Sequence, residues 1–245
     1  MNLVEALLEV AHGDERAVLF TVLDGPAQGR KLLVRLDRSE AIGDGPSALA
    51  PLAGELRRSC IVELEGARVF ADVYGPPPRL VVVGAVDTGE ALCAGARALG
   101  WHTVCVDARA RFATAERMPS AEQIVVEWPD EALARLVLDR DTAVVVLTHD
   151  DRFDVPALTI ALRSDAFYVG ALGSRVAQAR RRERLLEAGL TAADLARLRG
   201  PAGLDVGAEG PGETAVSILA EMLAVRANRG GGPLGASTEP IHVER

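Results

Sequence analysis

Cysteine is scarce in this chain. Cys60, Cys93 and Cys105 are too few and too scattered for a disulfide framework or a CxxC metal site. Histidine is nearly as sparse. His12, His102, His149 and His242 show no HxxxH or HxH spacing, so no metal site is expected. Long apolar runs are missing too, none approaching the roughly 18 residues that span a bilayer. The opening MNLVEALLEVAHGDE carries acids early and no basic region, so it does not read as a signal peptide. These absences together predict a cytoplasmic protein. Lysine is represented by Lys31 alone among 27 basic residues, a skew that resembles high-GC codon bias and carries no functional reading.

What is present is an ordinary globular composition, 49% apolar and 25% charged, over 245 residues. That length allows one or two domains and a sizeable core. The 27 basic residues against 35 acidic ones leave a net charge of −8, which disfavours nucleic acid or an anionic membrane as partner.

The chain changes character part-way. Residues 2–12 read as a short amphipathic helix, with Leu3, Ala6, Leu7, Val10 and Ala11 on one stripe. Extended stretches follow at 17–23, 31–36 and 61–73, the last interrupted by Glu65-Gly66 as a hairpin turn. The segment IGDGPSALAPLAGELRRS between them reads as a glycine-rich turn and a helix. Residues 1–75 therefore predict a small α+β domain. Tyr74-Gly-Pro-Pro-Pro78 then stiffens the chain and marks a boundary.

From 76 to 229 strands and helices alternate. Strands are expected at 79–84, 101–106, 123–127, 142–147 and 167–171. Helices are expected at 90–99, 130–138, 155–162, 175–187 and 212–226. The continuous apolar run RLVVVG is the pattern of a strand buried on both faces of a parallel sheet. The alternation predicts a doubly wound, Rossmann-like α/β fold. Residues 230–245 are Gly/Pro/Ser-rich and read as a flexible tail.

Four segments could carry chemistry. Gly84-Ala-Val-Asp-Thr-Gly89 follows a buried strand and opens a helix, where glycines permit a tight turn and backbone approach to a phosphate. Asp107 ends the next strand, where an acid usually meets a ribose hydroxyl. Val86 replaces the middle glycine of the dinucleotide fingerprint, and its Cβ obstructs a pyrophosphate. The same glycines could simply close a β–α turn. Thr148-His149-Asp150-Asp151 follows the fourth strand, and His149 is the one histidine facing the crevice; a neighbouring carboxylate would fix its tautomer or raise its pKa. With equal weight, an aspartate there caps the next helix.

Gly170-Ala-Leu-Gly173-Ser174-Arg175 combines glycines, a hydroxyl and an arginine at a helix start, an anion cradle or else a turn with a serine cap. Residues 201–207 carry Asp205 between apolar segments, with Glu213 in the first turn of the last helix; a buried Asp205 would need a partner or a ligand. Cys93 and Cys105 read as core. Cys60 follows Arg57-Arg58-Ser59, whose guanidiniums would favour a thiolate, although packing at a strand start explains it as well. Arg180-Arg181-Arg182 before Glu183 reads as a solvated helix face. His149 and Cys60 are the catalytic candidates.

The ordered segments VVVGAVDTGEAL, VDARARFATAERMP, TAVVVLTHDDRFDVPAL, FYVGALGSRVAQARRRERL and GLDVGAEGPGETAVSILAEMLAVR closely resemble the XdhC/CoxI family over roughly residues 76–228. The resemblance implies an N-terminal XdhC/CoxI domain before a Rossmann domain. It also implies an accessory role in which molybdenum cofactor (molybdopterin, nucleotide-linked or not) is bound, matured and inserted into a client molybdenum hydroxylase of the xanthine dehydrogenase or carbon monoxide dehydrogenase type. By matching motifs, the cofactor-binding positions would be Gly84, Ala85, Val86, Gly89, Asp107, Arg109, Thr148, His149, Asp150, Gly170, Gly173, Ser174, Arg175, Asp205 and Glu213. Two departures stand out. Asp87 occupies a position usually held by histidine, and Ser59-Cys60-Ile-Val-Glu63 is a loose echo of a Gly-Gly-Cys-x-Glu stretch. The resemblance thus implies a short form, a chaperone more than a stand-alone catalyst; the acidic charge and short apolar runs add the expectation of no nucleic acid or membrane partner, and a homodimer is left open. Outside the resemblance, an NAD(P)-dependent oxidoreductase and a nucleotide-sensing module fit the same fold.

Overall fold

The protein is described here by a computed structural model covering residues 2–236. The described chain divides into two compact units, one ending at Pro76 and one spanning Pro77–Gly232, with the short stretch from Pro233 grouped with the first.

The first unit is an antiparallel sheet. Its strands are β1 (Ala17–Val22), β2 (Lys31–Arg35), β3 (Glu40–Gly43), β4 (Cys60–Leu64) and β5 (Ala67–Tyr74), in the order β3-β2-β1-β5-β4. The β4–β5 hairpin turns on Glu65 and Gly66, both at positive φ (51° and 84°), the paired left-handed geometry that matches strand twist. Alternation along the strands builds two apolar layers. Val18, Phe20, Leu32 and Val34 face a 3-10 segment at Ser47–Gly54. Leu19 and Leu33 face Ala6 and Val10 of α1 (Leu3–His12). The helix expected between β3 and β4 is present as a 3-10 segment. Pro51 inside it has no N–H to give an α-helical hydrogen bond. Strand β3 was not foreseen, because EAIG is too short to show alternation.

The second unit holds a six-stranded parallel sheet: β6 (Arg79–Val83), β7 (His102–Val106), β8 (Gln123–Val125), β9 (Thr142–Val146), β10 (Tyr168–Ala171) and β11 (Leu198–Arg199). The spatial order β11-β10-β9-β6-β7-β8 is the Rossmann order. Both faces are covered, as the unbroken apolar runs require. Leu80 and Val82 turn toward α2 (Asp87–Ala98) and α7 (Pro211–Arg226). Val81 and Val83 turn toward α3 (Pro129–Arg135), α4 (Asp151–Arg163), α5 (Arg175–Glu187) and α6 (Ala192–Ala196). Two small elements were not foreseen, β11 and α6. Of the expected tail, Leu234–Ala236 form a 3-10 turn, and residues 237–245, with His242, lie outside the described residues.

Candidate functional site

Chain order reverses between β6 and β9, and in open parallel sheets the crevice beyond the carboxyl ends at such a point receives ligands. The loops after β6 and β9 meet there. Gly84 has φ of +117°, and a Cβ on it would lie 3.0 Å from Thr148 Cγ2. A Cβ on Gly89 would lie 2.8 Å from the Gly84 carbonyl oxygen, so glycine at 89 lets α2 start hard against the strand end. Val86 occupies the N-cap of α2 with no side-chain cap. Asp87 and Glu90 then put two carboxylates in the first turn, which opposes a phosphate at this terminus.

Asp107, 3% exposed, is already engaged. Its Oδ2 accepts from the Ala85 amide at 2.9 Å and Arg109 Nη2 at 2.7 Å. Its Oδ1 accepts from the Arg109 amide and Nε, each at 2.9 Å. Burial pushes its carboxyl up, but these donors outweigh burial and hold it below the ordinary carboxylate range. The expected acceptor for a ligand hydroxyl is thus turned inward, tying the first loop to a fixed Arg109 guanidinium.

In the β9–α4 loop, Asp150 is the helix N-cap and accepts from the Arg152 amide at 3.0 Å. It also accepts from Arg152 Nη2 at 2.6 Å, and these bonds pull its pKa down to about 2. Asp151 pairs with Arg184 Nη1 at 2.9 Å. His149 is exposed. The carboxylates that follow it, Asp150 and Asp151, are paired with Arg152 and Arg184.

The β10–α5 loop keeps the features of an anion cradle. Gly170 lies in β10, Gly173 adopts φ of +132°, and Ser174 Oγ accepts from the Ala177 amide at 3.2 Å as N-cap. Arg175 is exposed, and the first turn of α5 carries no acid. Between the two helix starts that were candidates, this one suits an anion and the start of α2 does not.

Asp205 is exposed, which corrects its expected burial. Glu213 is exposed also and accepts from the Glu209 amide at 2.8 Å. The acid that organises this segment is Glu221, which accepts from the Gly203 amide at 2.8 Å and the Tyr168 hydroxyl at 2.5 Å. Burial, and then Glu221, push the Tyr168 phenol far above its usual value.

A second missed group lies beneath the crevice. The Thr148 hydroxyl donates to Asp154 Oδ1. Arg181 donates to Asp154 Oδ2 through Nη2 at 2.7 Å and Nε at 3.2 Å, and through Nη1 to Gln178 Oε1 at 2.7 Å. Gln178 Nε2 closes the chain on the Ala171 carbonyl at 2.9 Å. All four side chains are buried, so Arg181 does not belong to a solvated face. Burial raises the Asp154 pKa, with the bonds from Thr148 and Arg181 opposing it. The network joins the loop after β9 to the loop after β10. Its sequence signal was the spacing of Gln178, Arg181 and Leu185 on one helix stripe.

Cys60 begins β4 in the antiparallel unit, half-buried and packed against that unit's core. Arg57 Nη1 donates to the carbonyls of Gly54 and Leu56. Among the described residues no cluster of His, Cys, Asp and Glu could hold a metal ion, and no helix is long and apolar enough to cross a membrane.

The profile of the XdhC Rossmann domain matches residues 80–222, which is the parallel-sheet unit nearly end to end. The chain belongs to the XdhC family. A Bacillus subtilis protein named as a probable xanthine dehydrogenase subunit is 32% identical over 158 residues, covering 64% of this chain and 46% of that protein. The molybdenum cofactor insertion chaperone PaoD of Escherichia coli is 37% identical over 95 residues, covering 39% of this chain and 30% of PaoD. The aligned stretch thus spans less than half the length of either curated XdhC-like relative. A crystal structure described as a xanthine dehydrogenase from Bacillus halodurans superposes with a TM-score of 0.56 over 97% of this chain and 98% of that one, at 20% identity, a likeness of fold.

Proposed function

We propose that this XdhC-family protein binds molybdenum cofactor as cargo and assists its maturation and insertion into a molybdenum hydroxylase. The observation that carries the reading is the start of α5. Gly173, Ser174 and Arg175 offer backbone N–H groups, a helix dipole and an exposed guanidinium, with no acid in the turn to oppose an anionic tail. The likeness to the cofactor insertion chaperone PaoD supports the same role. Gly84 and Thr148 bring two loops close enough to form the floor of a crevice. The role is that of a cytoplasmic carrier which releases its cargo to a client enzyme.

The Rossmann strand order favours one second reading, an NAD(P) or other nucleotide ligand. Val86 and the acids Asp87 and Glu90 weigh against a pyrophosphate at α2. One experiment separates the two. Anaerobic ultrafiltration with freshly released molybdenum cofactor, and with NADH in a parallel cell, measures what each chain retains. Near-stoichiometric molybdenum without NADH is expected, with retention reduced in Arg175→Glu. Retained NADH without molybdenum refutes the chaperone reading.

A further inference from the structure

Trp128 is 46% exposed at the carboxyl end of β8, as the N-cap residue of α3. A large ring left half in water forgoes burial, and Pro129 in the first turn fixes the backbone that presents it. One side of the indole is supported. The Phe153 ring, itself 7% exposed, lies 5.0 Å away between centroids at a tilt of 43°. Two guanidiniums flank Phe153, with Arg109 Cζ and Arg152 Cζ each 5.9 Å from its centroid. Neither arginine is loose: Asp107 holds Arg109 and Asp150 holds Arg152 through bidentate bonds. Arg109 also lies 4.5 Å over the Phe112 ring. Arg109 and Arg152 are thus each held by a carboxylate, while Arg111 and Arg117 also lie over the Phe112 ring, at 4.8 and 5.3 Å. Such an aromatic surface edged by guanidiniums suits a planar ring.

These residues all lie after β7, β8 and β9, beyond the carboxyl ends of the strands. We propose that Trp128, backed by Phe153 with Arg109 and Arg152 beside that second ring, is a stacking subsite for a planar nitrogen heterocycle. The inference rests on the proposed cofactor-binding role and assigns the ring end of the ligand, the start of α5 taking its anionic end. From β10 to β8, whose carboxyl end carries Trp128, is four strand spacings, about 19 Å, so the two subsites require an elongated ligand with a ring at one end. A pterin and a nucleobase share this chemistry.

The test uses the full-length protein and three probes: biopterin, AMP, and ribose 5-phosphate as a control without a base. Binding is followed by calorimetry, and quenching of tryptophan fluorescence is compared with that of Trp128→Phe. Trp101, at 3% exposure, is shielded from the probes. Binding of biopterin or AMP is expected to quench the wild type, whereas ribose 5-phosphate, which can meet only the anionic subsite, leaves the tryptophan fluorescence unchanged. Trp128→Phe should bind without that quench, and Trp128→Ala should lose about tenfold in affinity. Stronger binding of biopterin than AMP marks a pterin subsite, and the reverse marks a nucleobase subsite. Unchanged affinity for biopterin and AMP in Trp128→Ala, or equal fluorescence quenching by AMP and ribose 5-phosphate, overturns the assignment. Retention of molybdenum cofactor by wild type and Trp128→Ala alike would leave the carrier role standing while removing the stacking subsite. Ring binding lost in Trp128→Ala, in a protein that retains no molybdenum cofactor, would do the opposite.

Discussion

Arg181 on α5 and Asp154 on α4 form a two-pronged ion pair, with Nη2 and Nε at 2.7 and 3.2 Å from one carboxylate oxygen, and both side chains nearly excluded from water. The carboxylate's other oxygen takes the Thr148 hydroxyl, so the loop carrying His149 is anchored to the helix that begins at Ser174. Two loops on opposite sides of β9 thereby share one buried support.

Removing one partner of this pair leaves the other charge buried and unpaired. Arg181→Ala is therefore expected to cost about 3–5 kcal/mol of unfolding free energy. Urea denaturation of the two proteins checks it, and a loss below about 1 kcal/mol would mean that water reaches Asp154 and solvates it.

Gly84 sits where a side chain meets both strain and a neighbour. Its φ of +117° is one that other residues rarely adopt, and the new Cβ would lie 3.0 Å from Thr148 Cγ2. Gly84→Ala should lose about 1–3 kcal/mol. Gly212→Ala serves as control, because nothing lies within 4 Å of its Cβ position. Thermal unfolding of both variants tests the difference, and equal losses would remove the strain argument.

The doubly wound sheet was legible because strands alternate with helices and the two central strands, β6 and β9, are written as apolar runs ended by Gly84 and Thr148. The pairing order was not, since Val81 reads the same beside β7 as beside β9. The site was legible as loops and illegible as bonds. Asp107, Asp150 and Asp205 look alike in sequence, yet one is buried against Arg109, one caps α4 and one faces water. What separates them is which arginine lies within reach, a matter of tertiary distance. The T-x-x-D spacing of Thr191 and Asp194 is a legible sign of the capping box that starts α6. Arg181 hid inside a run of arginines. Only the stripe shared with Gln178 and Leu185 marked it as inward.

The cysteines should separate by reactivity. Burial, then Cys105 and Glu90 for Cys93 and the carboxylates of Asp107 and Glu90 for Cys105, push the two thiols up to about 12, leaving almost no thiolate at pH 8. Cys60 is half-buried at a strand start. An aromatic disulfide reagent should therefore titrate at most one thiol in the native protein, lost in Cys60→Ser, and all three after unfolding. Rapid labelling of two native thiols would contradict the buried core around Cys105.

Acid should uncouple the first loop from Arg109. The folded-state pKa of Asp107 lies below its unfolded value, because donors from Arg109 and Ala85 outweigh burial. Such a group adds stability that is fully present above the unfolded value of about 3.9 and is lost as pH falls through the folded one. Asp107→Asn retains an oxygen for the Ala85 amide but has no charge for Arg109. The stability gap between wild type and Asp107→Asn should therefore be widest near neutrality and close as pH drops below about 4. Asp154 has the opposite sign. Burial raises its pKa, so its contribution is present below the unfolded value and is lost as pH rises through the folded one. Urea midpoints measured for the two proteins from pH 7 down to pH 3 decide the matter. A gap that stayed constant across that range would mean that the Asp107–Arg109 pair contributes no differential charge stabilisation, and that the loop is held by the Ala85 amide alone.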